Sequence, residues 1–338
     1  MKTSVFFGTL AAAGLSAGIA AAGTLEDVQA NGELKCGISP GLAGFAAPDA
    51  NGRWGGFDIA VCRAVAAAVL GDPEKVQFTT TTGKTRFSAL ASGEIDMLSR
   101  VTTWTFSRDV DLKLDFAGVN YYDGQGFMTR RDLGVSSAKD LDGATICIQT
   151  GTTTELNLAD FFRANNIGYE PVPIETNAEA LQQLGAEACD VYTTDASGLA
   201  ASRATFEDSD AWVILPEIIS KEPLGPVVRH GDNQWGDIVR WTLNALIAAE
   251  ELGITSANLM EMAKGTENPE VNRLLGSEGD LGAMLGLDKD WAVRAISAEG
   301  NYGEIFEKNI GEATPIGLAR GLNAQWTQGG LLYSPPFR

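Results

Sequence analysis

Residues 99–109 read Ser-Arg-Val-Thr-Thr-Trp-Thr-Phe-Ser-Arg-Asp and follow directly on an apolar, strand-like run that ends at Leu98. The stretch offers several threonine hydroxyls, an aromatic plane at Trp104 and a guanidinium group at Arg108. A carboxylate is best bound by a planar, two-pronged donor, and arginine provides that geometry better than lysine. The pattern therefore predicts that the loop after this strand binds the carboxylate of a small zwitterion.

Two later segments complement this loop. Residues 151–155 read Gly-Thr-Thr-Thr-Glu between a strand-like segment and a helical one, so the first N–H groups of that helix are available to an anion. Asp195 follows another strand-like segment and offers a carboxylate to an ammonium group. We expect the rest of the chain to bring these three pieces together.

Strand-like and helical segments alternate twice along the chain. Before residue 122 they fall at residues 34–39, 59–70, 76–81, 85–92 and 95–98, an order typical of an α/β layer architecture. The alternation restarts after Asp123 and is complete again before Pro223. A complete second α/β unit inside the chain predicts one lobe inserted into another, with two hinge passages near residues 122–123 and 222–224.

Size and charge restrict the function classes. The chain has 338 residues, 44% of them apolar, which suits two lobes of ordinary size. Its formal net charge is −19 and no basic cluster is present, so nucleic acid and anionic membrane surfaces are not expected as partners.

The first residues predict export. Lys2 is followed by an apolar run over residues 5–22 that closes with three alanines, the pattern of a cleaved secretory signal peptide over residues 1–22. A membrane span is the alternative interpretation, but the run is rich in glycine and alanine and lacks a basic flank behind it.

Export implies an oxidising compartment, in which the four cysteines are expected to form disulfides. Cys36, Cys62, Cys147 and Cys189 allow three pairings. We favour Cys36–Cys62 and Cys147–Cys189, because each then closes within one lobe; buried free thiols are the alternative. The chain has one histidine and no Cys-x-x-Cys pair, so we expect no metal and no cofactor.

The chain resembles the periplasmic substrate-binding proteins of polar amino-acid ABC importers (solute-binding protein family 3), and within them the general L-amino acid type. The resemblance runs from about residue 33 to residue 311. Its most specific parts are Gly56-Phe57-Asp58-Ile59, Thr103 through Arg108-Asp109, Gly151-Thr152-Thr153, Asp195 and Gly300-Asn301-Tyr302. It implies the type II fold of this class, with two α/β lobes joined by two hinge passages and a ligand cleft between them.

The resemblance also implies roles for individual residues. Arg108 would pair with the ligand α-carboxylate, helped by the Thr103 hydroxyl and the backbone at Val101. The amide of Thr153 would bind the same carboxylate from the other lobe, and Asp195 would accept the α-ammonium group.

Other candidate residues keep a second interpretation. The family places an aromatic residue in the first loop, where this chain has Leu42 with Phe45 nearby; Trp104 is either a wall of the side-chain pocket or part of the core. Thr152 and Thr153 fit a helix cap as well as an anion site. Asp195 fits a cap of the helix near residue 197, and Arg108 fits a surface ion pair.

The sequence thus predicts a signal peptide (1–22), a first part of lobe 1 (23–122), lobe 2 (123–223) and a return to lobe 1 (224–338). The return includes a helical insertion at about 252–287 and a C-terminal tail. The expected protein is a periplasmic monomer that binds free L-amino acids and delivers them to the membrane permease subunits of an ABC importer. Two alternatives remain: a ligand sensor for a membrane receptor, and an enzyme on the same fold, similar to cyclohexadienyl dehydratase. Such an enzyme needs a general acid or base, for which Glu155 and Asp195 are the candidates, whereas we expect no catalytic residue.

Overall fold

The computed structural model describes residues 23–338, so the predicted signal peptide lies outside the described residues. The strands are β1 (Leu34–Ile38), β2 (Ala47–Pro48), β3 (Trp54–Gly55), β4 (Val76–Thr80), β5 (Met97–Leu98), β6 (Leu114–Phe116), β7 (Tyr121–Asp123), β8 (Gln125–Arg130), β9 (Ala144–Gln149), β10 (Tyr169–Ile174), β11 (Val191–Asp195), β12 (Trp212–Ile214), β13 (Glu222–Leu224) and β14 (Val227–Arg229).

The helices are α1 (Thr24–Asn31), α2 (Phe57–Leu70), α3 (Arg86–Ser92), α4 (Thr153–Asn165), α5 (Asn177–Gly185), α6 (Ala196–Arg203), α7 (Asn233–Glu251), α8 (Leu259–Met262), α9 (Pro269–Leu274), α10 (Leu281–Leu285), α11 (Trp291–Glu299) and α12 (Tyr302–Asn309). Among residues 23–338, no helix has both the length and the apolar character needed to cross a membrane.

Two five-stranded sheets organise the molecule. The first has the order β4-β1-β5-β14-β6, in which β1 is parallel to β4 and β5, and β14 is antiparallel to β5 and β6. The second has the order β10-β9-β11-β8-β12, with β9 parallel to β10 and β11. We call each sheet with its helices a lobe, lobe 1 for the first and lobe 2 for the second. The mixed α/β architecture is the one that the alternation of segments predicted.

Helix α2 is the centre of lobe 1. Its alanine- and valine-rich sequence lets every residue from Phe57 to Val69 be buried, because small side chains allow neighbouring elements to approach on all sides. Gly56 precedes the helix with φ 129°, and a Cβ atom there would lie 2.3 Å from the carbonyl oxygen of Phe45. Only glycine fits this position without strain, and it fixes where α2 begins.

The chain passes between the two sheets through β7 and β13, which pair with each other in an antiparallel two-stranded ribbon. Asp123 is the register partner of Glu222. These are the segments in which we expected the hinge passages.

Each lobe contains one disulfide. Cys36–Cys62 joins β1 to α2, and Cys147–Cys189 joins β9 to the segment before β11. These are the pairs that the sequence analysis favoured.

The residues after α7 pack against the core of lobe 1. The expected helical insertion, residues 252–287, folds into the short helices α8, α9 and α10. The tail ends with Phe337, whose ring lies 5.0 Å from that of Trp241. Earlier in the tail, the Asn323 side chain accepts from the backbone N–H of Tyr122 in β7 and donates to its carbonyl oxygen.

Candidate functional site

A cavity lies between the two lobes, at the carboxyl ends of β5, β9 and β11. Ligands of open α/β sheets bind in this position, outside the carboxyl ends of the strands. Six residues that the sequence analysis singled out line the cavity, three from each lobe: Leu42, Val101, Thr103, Thr152, Thr153 and Asp195. The fold therefore brings the three predicted segments to one place.

Phe45 and Trp104 lie outside the lining. Phe45 is fully buried, with its ring edge-on to those of Phe57 and Tyr121, so it belongs to the core of lobe 1. Trp104 is 40% exposed; its ring stacks on Phe116 and its Nε1 donates to Asp109.

Arg108 also lies outside the lining but beside it. Its guanidinium group is 5.1 Å from the ring of Phe87, and its Nη1 donates to the carbonyl oxygen of Thr103 at 2.9 Å. Its Nε and Nη2 form no hydrogen bond with residues 23–338. These two nitrogens lie on one edge of the guanidinium group, so both can donate in parallel to a carboxylate. Burial lowers the pKa of Arg108, opposed by the charges of Glu222 and Asp195. Its role as the carboxylate partner remains a prediction.

Two further arginines, Arg86 and Arg100, line the cavity directly, and the sequence analysis missed both. They are only 2% and 5% exposed. Neither forms a salt bridge with a carboxylate of residues 23–338. Burial lowers the pKa of Arg86 well below its ordinary value and that of Arg100 to about 10. Buried cations without a direct ion pair are costly, and the more distant carboxylates of Asp58, Asp195 and Glu222 compensate this cost only in part, so an anionic ligand in the cavity is stabilising.

The hydrogen bonds of these two side chains leave donors free. Arg86 Nη1 donates to Thr102 Oγ1 at 3.3 Å, and its buried Nε has no partner among residues 23–338. Arg100 Nε donates to the carbonyl oxygen of Thr81 at 3.0 Å. A sequence signal existed for Arg100, since it stands two residues after β5, at the end of the sheet where the cavity lies.

Val101 has φ 33°, which is rare for a β-branched residue and is a local store of strain. Its N–H donates to Asp58 at 3.3 Å rather than pointing to the cavity. Asp58 belongs to the Gly-Phe-Asp-Ile segment at the start of α2, and burial raises its pKa to about 7. The backbone turn that carries Arg100 is thus held by a buried carboxyl group.

Asp195 is the last residue of β11 and precedes α6, but its side chain makes no cap hydrogen bond. Instead, Asp123 accepts from the Ser197 hydroxyl and from the Ser197 N–H, so the first turn of α6 is capped from β7. Asp195 Oδ1 is buried without a partner among the described residues. Burial raises the pKa of Asp195 well above its ordinary value; Asp123 and Glu222 add to the rise, and Arg86 and Arg108 oppose it.

Thr152 is the cap residue of α4, as its alternative interpretation proposed: its hydroxyl accepts from Glu155 N–H at 3.4 Å and donates to the Gln149 carbonyl oxygen at 2.6 Å. The next residues, Thr153 and Thr154, also line the cavity. The first N–H groups of a helix have no intrahelical partner and carry a partial positive charge, so this wall favours an anion.

Glu222 is the third residue that the sequence analysis missed. It is 1% exposed. Its Oε2 accepts from the hydroxyls of Thr103 at 2.5 Å and Thr153 at 2.9 Å, and its Oε1 accepts from Asn157 Nδ2 at 2.7 Å and the Ser220 hydroxyl at 2.6 Å. Each threonine hydroxyl has one proton, so in this conformation neither donates to a ligand at the same time.

The lobes also touch at the rim of the cavity. Lys84 Nζ of lobe 1 lies 3.1 Å from Glu175 Oε1 of lobe 2, and both side chains are exposed. Next to this pair, Gly83 packs so tightly that a Cβ atom would lie 2.6 Å from the carbonyl oxygen of Thr150. The described structure is therefore a closed one.

Residues 34–258 match the family of bacterial extracellular solute-binding proteins, family 3. The glutamate/glutamine/aspartate/asparagine-binding protein BztA of Rhodobacter capsulatus is 70% identical, over the whole of both chains. The general L-amino acid-binding periplasmic protein AapJ of Rhizobium johnstonii is 57% identical, again over the whole of both chains.

A solved structure of an ABC transporter periplasmic binding protein from Brucella ovis, with glutathione bound, shares the fold. The TM-score is 0.91 at 57% identity, and the match covers 94% of this chain and 100% of that one.

Proposed function

Because the chain belongs to the bacterial extracellular solute-binding proteins of family 3, we propose that it binds free L-amino acids in the periplasm and delivers them to the permease of an ABC importer. One observation carries the amino-acid assignment. A buried carboxylate oxygen without a partner, Asp195 Oδ1, and a buried guanidinium nitrogen without a partner, Arg86 Nε, belong to side chains that line the same cavity. An α-ammonium group and a carboxylate are the complementary pair.

The charges around the cavity support a preference within the amino acids. The cavity has three guanidinium groups in or beside its wall, those of Arg86, Arg100 and Arg108. One α-carboxylate cannot pair with all three. A second carboxylate, or an amide oxygen, on the ligand side chain would use the remaining donors. We propose that glutamate, aspartate and their amides bind most tightly within a broader set, in agreement with the name of the Rhodobacter relative.

The first test is a thermal-shift and calorimetric screen of the chain without residues 1–22, unfolded and refolded beforehand to remove carried-over ligand. We expect large stabilisation by L-glutamate, L-glutamine, L-aspartate and L-asparagine, less by L-alanine and L-leucine, and least by L-lysine. Glutarate, which lacks the amine, serves as the matched control for L-glutamate. Equal stabilisation by glutarate and L-glutamate would contradict the role of Asp195, and a response to glutathione alone would contradict the amino-acid assignment.

Gly83→Ala is expected to weaken L-glutamate binding by about tenfold, which is about 1.4 kcal/mol. The added Cβ would lie 2.6 Å from Thr150 O and 3.1 Å from Thr152 Cγ2, both on the other lobe, so it opposes closure without disturbing either lobe. Isothermal titration calorimetry measures the loss. Gly185→Ala is the control, because a Cβ there meets no atom within 4 Å. Equal affinities of the two variants would contradict the prediction, because the closed protein would then accommodate the added Cβ atom.

We propose binding rather than catalysis because the carboxylate groups near the cavity are already engaged in other interactions. Glu222 already accepts four hydrogen bonds, and Glu155 accepts from Gly151 N–H at 3.0 Å. In a catalytic role, Asp195 would therefore have to bind the ammonium group and also transfer a proton. A dehydratase needs separate groups for these two tasks. Incubation with prephenate and detection of the product would expose such an activity.

The cellular setting is part of the proposal. We propose that residues 1–22 are removed on export and that the mature monomer consists of lobe 1 (23–122 and 224–338) and lobe 2 (123–223). N-terminal sequencing of the exported protein tests the cleavage site. Uptake of labelled L-glutamate in cells with and without the chain separates a transport receptor from a sensor.

A further inference from the structure

Glu222 is placed to act on both lobes at once. It is the first residue of β13, one of the two strands that connect the lobes, and its register partner is Asp123 in β7. Its carboxylate does not line the cavity, although the two threonines that donate to its Oε2 do. The group therefore lies behind the cavity wall, where the lobes meet.

The four donors to Glu222 come from three places in the fold. Thr103 belongs to the loop after β5 in lobe 1, Thr153 and Asn157 belong to α4 in lobe 2, and Ser220 lies two residues away beside β13. Four donors fill the acceptor capacity of the carboxylate. Each contact is made to a charged carboxylate that is itself buried, which strengthens the hydrogen bonds.

Two other contacts between the lobes are weaker than these hydrogen bonds. The Lys84–Glu175 ion pair is exposed, and exposed pairs contribute little. The two threonine hydroxyls lie 3.3 Å apart, too far for a strong O–H···O contact. The Glu222 carboxylate thus connects the loop after β5 in lobe 1 to α4 in lobe 2 through hydrogen bonds that the chain itself supplies.

We infer that Glu222 is a latch that joins Thr103 of lobe 1 to Thr153 and Asn157 of lobe 2, so that the closed conformation is populated before any ligand binds. The apparent dissociation constant equals the intrinsic constant of the closed form divided by the fraction of ligand-free molecules that are closed, so a larger closed fraction gives tighter binding. The latch is a property of the ligand-free protein, so this inference does not depend on which solute binds in the cavity.

The test compares the ligand-free wild type with Glu222→Gln, Thr153→Val and Glu217→Gln by small-angle X-ray scattering. Glutamine keeps the shape of Glu222 but removes the charge and half of the acceptor capacity; valine keeps the shape of Thr153 but removes its donor. Glu217 is the control, because its carboxylate accepts from the Ser137 hydroxyl and Ala138 N–H within lobe 2 alone. Circular dichroism and thermal melting establish that each variant folds.

We expect Glu222→Gln and Thr153→Val to have larger radii of gyration than the wild type without ligand, while Glu217→Gln matches the wild type. Saturating L-glutamate should bring all of them to the same radius, with about tenfold weaker affinity in the two latch variants. Unchanged ligand-free radii in both latch variants would overturn the inference. A changed preference between L-glutamate and L-glutamine at an unchanged radius would also overturn it, because Glu222 would then act on the ligand.

Discussion

Asp195→Asn is expected to weaken L-glutamate binding by 100-fold or more. Removing one partner of a buried ion pair costs about 3–5 kcal/mol, since the ammonium group would remain buried without a counter-charge. That cost corresponds to a loss of roughly 100-fold or greater in the dissociation constant. Isothermal titration calorimetry on the refolded protein measures it directly.

The same variant should fold as well as the wild type or better. Burial raises the pKa of Asp195 well above its ordinary value, with Asp123 and Glu222 adding to the rise. The protonated form is therefore favoured by folding, and its stabilising contribution, complete below the unfolded pKa, is lost as pH rises through the folded pKa. At neutral pH asparagine removes this cost, so the melting temperature of the ligand-free variant should not fall.

Ligand binding should show the opposite pH dependence. The ammonium group needs the ionised carboxylate, so below the raised pKa each ligand must displace a proton, and affinity should decline as pH falls. The charges of Arg86 and Arg108 act on the same carboxylate and oppose the rise of its pKa. The pH at which the affinity declines therefore reports the pKa of Asp195 in the presence of these neighbours. Asp195→Asn should abolish this dependence.

Asp142→Asn is the matched control for these measurements, because Asp142 is an exposed carboxylate that accepts from Gly168 N–H away from the cavity. We expect it to bind like the wild type at every pH. An Asp195→Asn variant whose affinity stays within about twofold of the wild type would show that the ammonium group lies elsewhere.

The α/β architecture was predictable because its signals are local. Apolar runs bounded by turn residues marked β1, β9 and β11, and the helical segment predicted at 59–70 is α2, Phe57–Leu70. It begins two residues earlier than predicted, directly after Gly56 with its φ of 129°. The two-residue strands β2 and β3 went unpredicted, since so short a run contains no periodicity.

The site was predictable only in part, because its remaining residues depend on contacts between distant parts of the chain. Thr153 and Asp195 follow strands and could be found from that position. Glu222 could not, because its partners Thr103 and Thr153 are 119 and 69 residues away along the chain. Arg86 stands at the start of α3, where an arginine is unremarkable until tertiary structure buries it without a direct ion pair to a carboxylate of residues 23–338.

Arg86→Met should weaken L-glutamate and L-aspartate binding by roughly 100-fold, about 3 kcal/mol, and L-alanine binding much less. Methionine keeps the length of the side chain but removes the cation and its donors. Arg100 and Arg108 are like charges that help to lower the pKa of Arg86. Removing this repulsion should preserve or raise the stability of the ligand-free protein, so a loss of affinity would not reflect unfolding.

Arg240→Met is the control on lobe 1, because Arg240 pairs with Asp237 and Asp115 outside the cavity. Calorimetry with L-glutamate and L-alanine on both variants separates the two roles open to Arg86. A loss confined to the acidic ligand assigns Arg86 to the side-chain carboxylate, whereas equal losses for both ligands assign it to the α-carboxylate. In the second case Arg100 and Arg108 would be the donors left for the side chain, and the proposed preference for acidic amino acids would depend on them.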